Sequence, residues 1–143
     1  MPVKPIPDGY HSLTPYLIIE GTSEAIAFYQ QAFGATVRVR HDVEGRGIMH
    51  AEIRIGNSPL MLADAAPGID ARGPKSFGGS PASLMLYVED VDASFARAVG
   101  AGAKVLHPVA NQPYGDRMGG LEDPFGYRWW VASRVEDLSP GEV

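Results

Sequence analysis

Gly34-Ala35-Thr36-Val37 and Gly102-Ala103-Lys104-Val105 are one short phrase written twice, each time directly after a helical stripe. Before the first copy, Ala25, Phe28, Tyr29 and Ala32 fall at i, i+3, i+4 and i+7, the spacing of one buried helix face. Before the second, Val91, Phe95, Ala98 and Val99 make a matching stripe. Gly34 can close the first helix in a left-handed cap, and Gly100 and Gly102 end the second. Thr22 or Ser23 offers a cap at the start of the first helix, with Glu24 near its positive end.

Reading outward, a strand precedes each helix, Leu13 to Ile19 and Ser83 to Val88. Three strands follow the first helix. Val37 and Val39 alternate with Arg38 and Arg40 in a half-exposed strand. Met49, Ala51, Ile53 and Ile55 alternate with His50, Glu52 and Arg54, and Pro59 to Ala63 is the third. Gly45 to Gly47 and Gly56-Asn57 mark the turns between them. In the second half the three strands are Ala103 to Leu106, Arg117 to Leu121 and Tyr127 to Ala132. Strand, helix and three strands, twice over, is an internal duplication. It predicts an α+β fold of two tandem βαβββ modules, the first over about 12–64 and the second over about 81–134. Between them residues 65–80 read AAPGIDARGPKSFGGS, with two prolines and four glycines, a linker or a lid. Residues 1–143 are expected to form one domain.

Composition narrows the function. The hydrophobic share is 45% and the charged share 20%, ordinary for a globular chain. Net charge is −5 with no basic run, so the footprint of a nucleic-acid partner is missing. The absence of Cys excludes disulfides, thiolate metal sites and a thiol nucleophile. No apolar stretch approaches a membrane span, so no membrane partner is expected. The N-terminal residues carry two prolines and no apolar core of a secretion signal, which makes the cytoplasm the expected location. Gly45-Arg46-Gly47 is a turn and not a dinucleotide fingerprint, and Lys75-Ser76 is not a P-loop, because its glycines follow it.

The element order resembles the vicinal oxygen chelate superfamily, which includes glyoxalase I, extradiol dioxygenases, and fosfomycin and bleomycin resistance proteins. Glu24 to Gly34, with its Phe28-Tyr29 pair and terminal Gly, is similar to the family's first helix. Glu122-Asp123-Pro124-Phe125-Gly126-Tyr127 resembles the D-P-x-G turn before its last strand. Tyr114-Gly115-Asp116-Arg117 and Trp129-Trp130 are similar to the PhnB-like branch. The resemblance covers roughly residues 12 to 134. It implies a curved mixed sheet with the helices on its convex side, a ligand held on the concave side, and a homodimer.

Metal-dependent relatives draw His, Glu or Gln ligands from the first and last strand of each module. Carried over by distance from the motifs, those positions are Thr14, Met61, Ser83 and Trp130. A divalent catalytic metal needs imidazole nitrogens and carboxylate oxygens. Neutral hydroxyls are poor ligands, a thioether suits soft ions and an indole only donates. No metal and no other cofactor is therefore expected at these positions. Alternation places Tyr16 beside Thr14, and Met85 and Tyr87 beside Ser83, on the same faces. The lining becomes aromatic and Met-rich with a few hydroxyls, fitted to a small organic ligand unless these side chains pack on one another.

His50 and Glu52 are the alternative site, sharing a strand face with Arg54. They are either a solvated ion pair or a metal or acid–base pair. Arg117 either binds an acidic ligand group in a two-pronged contact or pairs with Asp116, Asp123 or Glu122. Trp129 and Trp130 must face opposite ways, Trp130 toward the cavity. His11 and His41 lie near loops, and His107 precedes Pro108 in a turn and is given no role. The leading expectation is a metal-free binding protein that sequesters a ligand or drug. The competing ones are a metal-dependent lyase, isomerase or dioxygenase around His50 and Glu52, and a fold relic acting through dimer contacts alone.

Overall fold

The structure is a computed structural model that describes residues 3–66, 68 and 71–138. Its elements run β1 (Tyr16–Ile19), α1 (Thr22–Phe33), β2 (Thr36–Val43), β3 (Gly47–Ile55) and β4 (Ser58–Asp64), then β5 (Ser83–Tyr87), α2 (Val91–Gly100), β6 (Lys104–Asn111), β7 (Asp116–Glu122) and β8 (Arg128–Arg134). Each module makes its own four-stranded sheet, ordered β1-β4-β3-β2 and β5-β8-β7-β6. In both, the first strand pairs parallel with the last and the remaining pairs are antiparallel. The two tandem βαβββ modules expected from the sequence are present, each with a mixed sheet of identical topology. Two compact units follow the same division, Met1–Gln30 with Gly34–Gly73, and Gln31–Phe33 with Pro74–Val143.

Strand alternation decides which face of each sheet is dry. In the first module Leu17, Ile19, Ala51, Ile53, Leu60 and Leu62 are buried, and α1 offers the matching stripe Ala25, Phe28, Tyr29 and Ala32. In the second, α2 lies against β6, β7 and β8. It buries Val91, Phe95 and Ala98, but Val99 is exposed, one position too far round the helix. Gly119 makes this packing possible, since a Cβ there would stand 2.7 Å from Phe95 Cε2.

Several element ends differ from the sequence reading. Neither Thr22 nor Ser23 caps α1. Gly21 is the N-cap, left-handed at φ 97°, and the Thr22 N–H donates instead to Asp64 Oδ1 at 2.8 Å. The end of β4 delivers a carboxylate there, and its other oxygen accepts from the Ile48 N–H at 2.7 Å. Gly34 does close α1 in the left-handed region, at φ 69°. Strand β6 runs through Pro108 because it is an edge strand, where a missing N–H costs no ladder bond. Among the described residues of 65–80 there are an antiparallel bridge between Ala66 and Ala71 and a 3-10 turn at Pro74–Phe77. Pro67, Ile69 and Asp70 of that segment lie outside the described residues. Among the described residues, no helix is long and apolar enough to cross a membrane.

Candidate functional site

Residues directly opposite in neighbouring strands point to the same face. In the first module the register sets Tyr16 beside Met61, Met61 beside Glu52, and Glu52 beside Val39. This is the face turned away from the buried stripe. His50, two residues before Glu52, shares it and stands opposite His41. Met61, from one of the two sites that the sequence kept apart, therefore shares a face with His50 and Glu52 from the other.

Its polar groups are tied to tyrosines. Tyr16 Oη and His50 Nδ1 are hydrogen-bonded at 3.0 Å, with their rings tilted and 5.6 Å apart. Glu52 is only 7% exposed. The Tyr10 hydroxyl donates to its carboxylate; that bond, with burial and the nearby negative charge, raises the Tyr10 pKa above the usual phenol value. Arg54 continues the face, and its buried Nε has no hydrogen-bond partner. Thr14 and Met61 line a cavity of about 440 Å³ together with Pro7, Tyr10 and His11. The residues before β1 thus form a wall of the cavity, although Thr14 itself precedes the strand predicted to carry it.

The second module repeats the pattern. Ser83 lies beside Arg128, Met85 beside Trp130, and Tyr87 beside Ala132. Gly120 lies beside Trp130 on the other side, and Glu122 beside Arg128. Ser83 and Trp130 line a cleft of about 190 Å³ with His107, Gly120 and Arg128. Trp129 and Trp130 part as expected. Trp129 is 3% exposed, donates from Nε1 to Asp123 Oδ2 at 2.9 Å, and packs against Phe33.

Two readings need correction. His107 lies within β6, not in a turn, and stacks on Trp130 with ring centroids 5.1 Å apart and planes 19° apart. The edge position of β6 tolerates Pro108, so the proline did not end the strand. Arg117 does not join the other ligand candidates. It stands opposite Ser133, on the α2 side of the sheet, and grips Asp92 with Nε and Nη2 at 2.8 and 2.9 Å. That fork raises the Arg117 pKa and lowers that of Asp92.

Sequence reasoning also missed a cluster on the open face of the second sheet. Asp116 is 1% exposed and accepts from the Tyr87 hydroxyl and from Arg134 Nε, both at 2.7 Å. Burial pushes its carboxyl up, but these two donors outweigh it and hold its pKa below the usual value. The register opposing Asp116 to Arg134 would have shown this pair, had the last strand been read to its end.

The resemblance implies a divalent ion at Thr14, Met61, Ser83 and Trp130. These donors do not fit one: they offer two neutral hydroxyls, a thioether and an indole N–H. Among the described residues, no group of three or more His, Cys, Asp or Glu side chains is placed to hold a metal.

Comparison with known proteins gives consistent relatives. The profile of the Glyoxalase/Bleomycin resistance protein/Dioxygenase superfamily matches residues 12–131. An uncharacterized protein of Mycobacterium bovis is 37% identical over 135 residues, covering 92% of this chain and 89% of its own. The crystal structure of protein PA1353 from Pseudomonas aeruginosa superimposes with TM-score 0.69 at 26% identity, over 88% of this chain and 99% of that one. A putative 3-demethylubiquinone-9 3-methyltransferase, a PhnB protein from Bacillus cereus, shares the fold with TM-score 0.64 at 22% identity, over 86% and 99% of the two chains.

Proposed function

The chain belongs to the Glyoxalase/Bleomycin resistance protein/Dioxygenase superfamily, and from that premise we propose that it is a metal-free protein that binds and sequesters small organic molecules. One observation carries the reading. The four positions that hold the ion in metal-dependent relatives line two clefts, Thr14 with Met61 in one and Ser83 with Trp130 in the other. Residues that cannot grip an ion therefore stand where a ligand would rest. The first cleft is mainly apolar, with Pro7, Tyr10 and Met61 in its walls, the usual character of a ligand pocket, whereas the second is more polar, with Ser83, His107 and Arg128 beside Trp130. His50 and Glu52 lie on the same sheet face as Met61, each held by a tyrosine.

The test is elemental analysis of the purified protein with mass spectrometry of co-purified small molecules, followed by a screen read by Trp emission and melting temperature. The expected result is sub-stoichiometric metal and at least one organic ligand that changes Trp emission. Stoichiometric metal, or turnover that His50→Ala abolishes, would replace this reading with an enzyme built around His50 and Glu52.

A further inference from the structure

Resting on that binding reading, we propose that the cleft of the second module selects an anionic aromatic ligand of the aryl carboxylate class. The ring would stack beside Trp130 and the carboxylate would meet Arg128 and Ser83.

The cleft is floored by glycine. A Cβ on Gly120 would fall 2.8 Å from Trp130 Cζ3 and 3.1 Å from His107 Cδ2. Its absence lets the two rings close over the backbone and stack on each other. Trp130 is half-buried, so part of its ring is left to the cleft. The volume of about 190 Å³ suits one ring with a short substituent, since a cavity of roughly 150 Å³ already admits benzene.

The charge comes from the next row of the sheet. Arg128 is two residues before Trp130 on β8, so it shares the face roughly 6.6 Å along the strand. That is the reach of a carboxylate on a stacked ring plus one hydrogen bond. Arg117 and Arg134 are committed to carboxylates at 2.7–2.9 Å. Arg128 Nε makes a long ion pair with Glu122 at 3.7 Å, looser than those contacts and beyond hydrogen-bond length. The row reads Lys104, Glu122, Arg128, Ser83 in register, so Glu122 is flanked by two cations and the row carries net positive charge. Arg128 can therefore present its planar fork to a ligand carboxylate, with the Ser83 hydroxyl beside it. A cationic ring meets repulsion from Arg128, and a neutral ring leaves the fork unanswered.

The experiment titrates the full chain with benzoate, benzyl alcohol, benzylamine and acetate, following the two tryptophan indole N–H resonances by NMR. Loss of one peak in Trp130→Leu assigns it, and His107→Ala gives a second perturbation of the stack should that variant fail to fold. Benzoate is expected to shift the Trp130 resonance and leave that of Trp129 in place. Benzyl alcohol, benzylamine and acetate are expected to bind at least tenfold more weakly, and Arg128→Gln to weaken benzoate about tenfold, the worth of one charge-assisted contact. Equal binding of benzoate and benzyl alcohol with an indifferent Arg128→Gln would overturn the inference. So would a Trp130 resonance that none of the aromatic probes moves. Either result leaves the broader binding reading standing, because that reading falls to bound metal or to His50-dependent turnover.

Discussion

Asp116 is a buried carboxylate kept charged by two donors, and the sign of its pH dependence follows from that. Its folded pKa lies below the ordinary carboxylate value of about 3.9. Its stabilisation is therefore complete above that value and is lost as pH falls through the lower folded one. Asp116→Asn is expected to lower stability at pH 7 by about 1 kcal/mol, since Tyr87 and Arg134 can turn to water. The gap from the wild type should close below about pH 4. Urea unfolding at the two pH values measures both; a gap unchanged in acid would mean that the carboxylate charge plays no part. At this scale the sequence was legible wherever alternation sets direction, as for Trp129 against Trp130 and His50 with Glu52. It was silent on pairing. Nothing local joins Arg117 to Asp92, 25 residues earlier, or Tyr10 to Glu52. Such partners are chosen by the packing of elements.

Adjacent glycines in β7 test the assignment of the two sheet faces. Gly119 faces α2, where a Cβ would meet Phe95 Cε2 at 2.7 Å and Val109 Cγ2 at 2.9 Å. Gly119→Ala overpacks a core and is expected to cost about 1–3 kcal/mol. Gly120 faces the cleft, where its Cβ would instead separate Trp130 from His107. Gly120→Ala is expected to change Trp130 emission with a smaller loss of stability, because both rings can swing toward solvent. Urea midpoints and emission spectra of the two variants distinguish the faces, and a reversed ranking would contradict the register. Asp64 makes a separate prediction. It ties the start of α1 and the N–H of Ile48 to the end of β4. Asp64→Ala leaves both donors unanswered and is expected to cost about 1–3 kcal/mol by the same measurement. The order of elements was legible because each has its own apolar period. Their ends were not. The α1 cap depends on a carboxylate 42 residues away, and β6 passes Pro108 only because it borders the sheet, a fact of topology that no short window contains.

For the whole molecule, the duplication was readable from one repeated phrase, whereas the clefts were not. The first is walled by the segment before β1, which has no periodicity to announce where it folds. The metal question belongs to this scale because the carried-over positions are divided between the modules, Thr14 and Met61 in the first and Ser83 and Trp130 in the second. Any ion held by the folded state alone stabilises it by mass action, about 2.7 kcal/mol at a hundredfold excess over Kd. For a chain of this length that corresponds to a rise in Tm of several degrees. Four donors of the wrong chemistry give no such term. Adding zinc, nickel or manganese, or removing divalent ions with a chelator, is therefore expected to leave Tm unchanged within about 1 °C. An organic ligand at the same excess should raise it by the full amount, since mass action does not distinguish ions from molecules. A metal-induced rise that Glu52→Gln removes would locate an ion on the open face of the first module and make the two tyrosine contacts there a resting state. A metal-independent Tm that rises with an aromatic acid would tie the stability of the fold to the cleft beside Trp130.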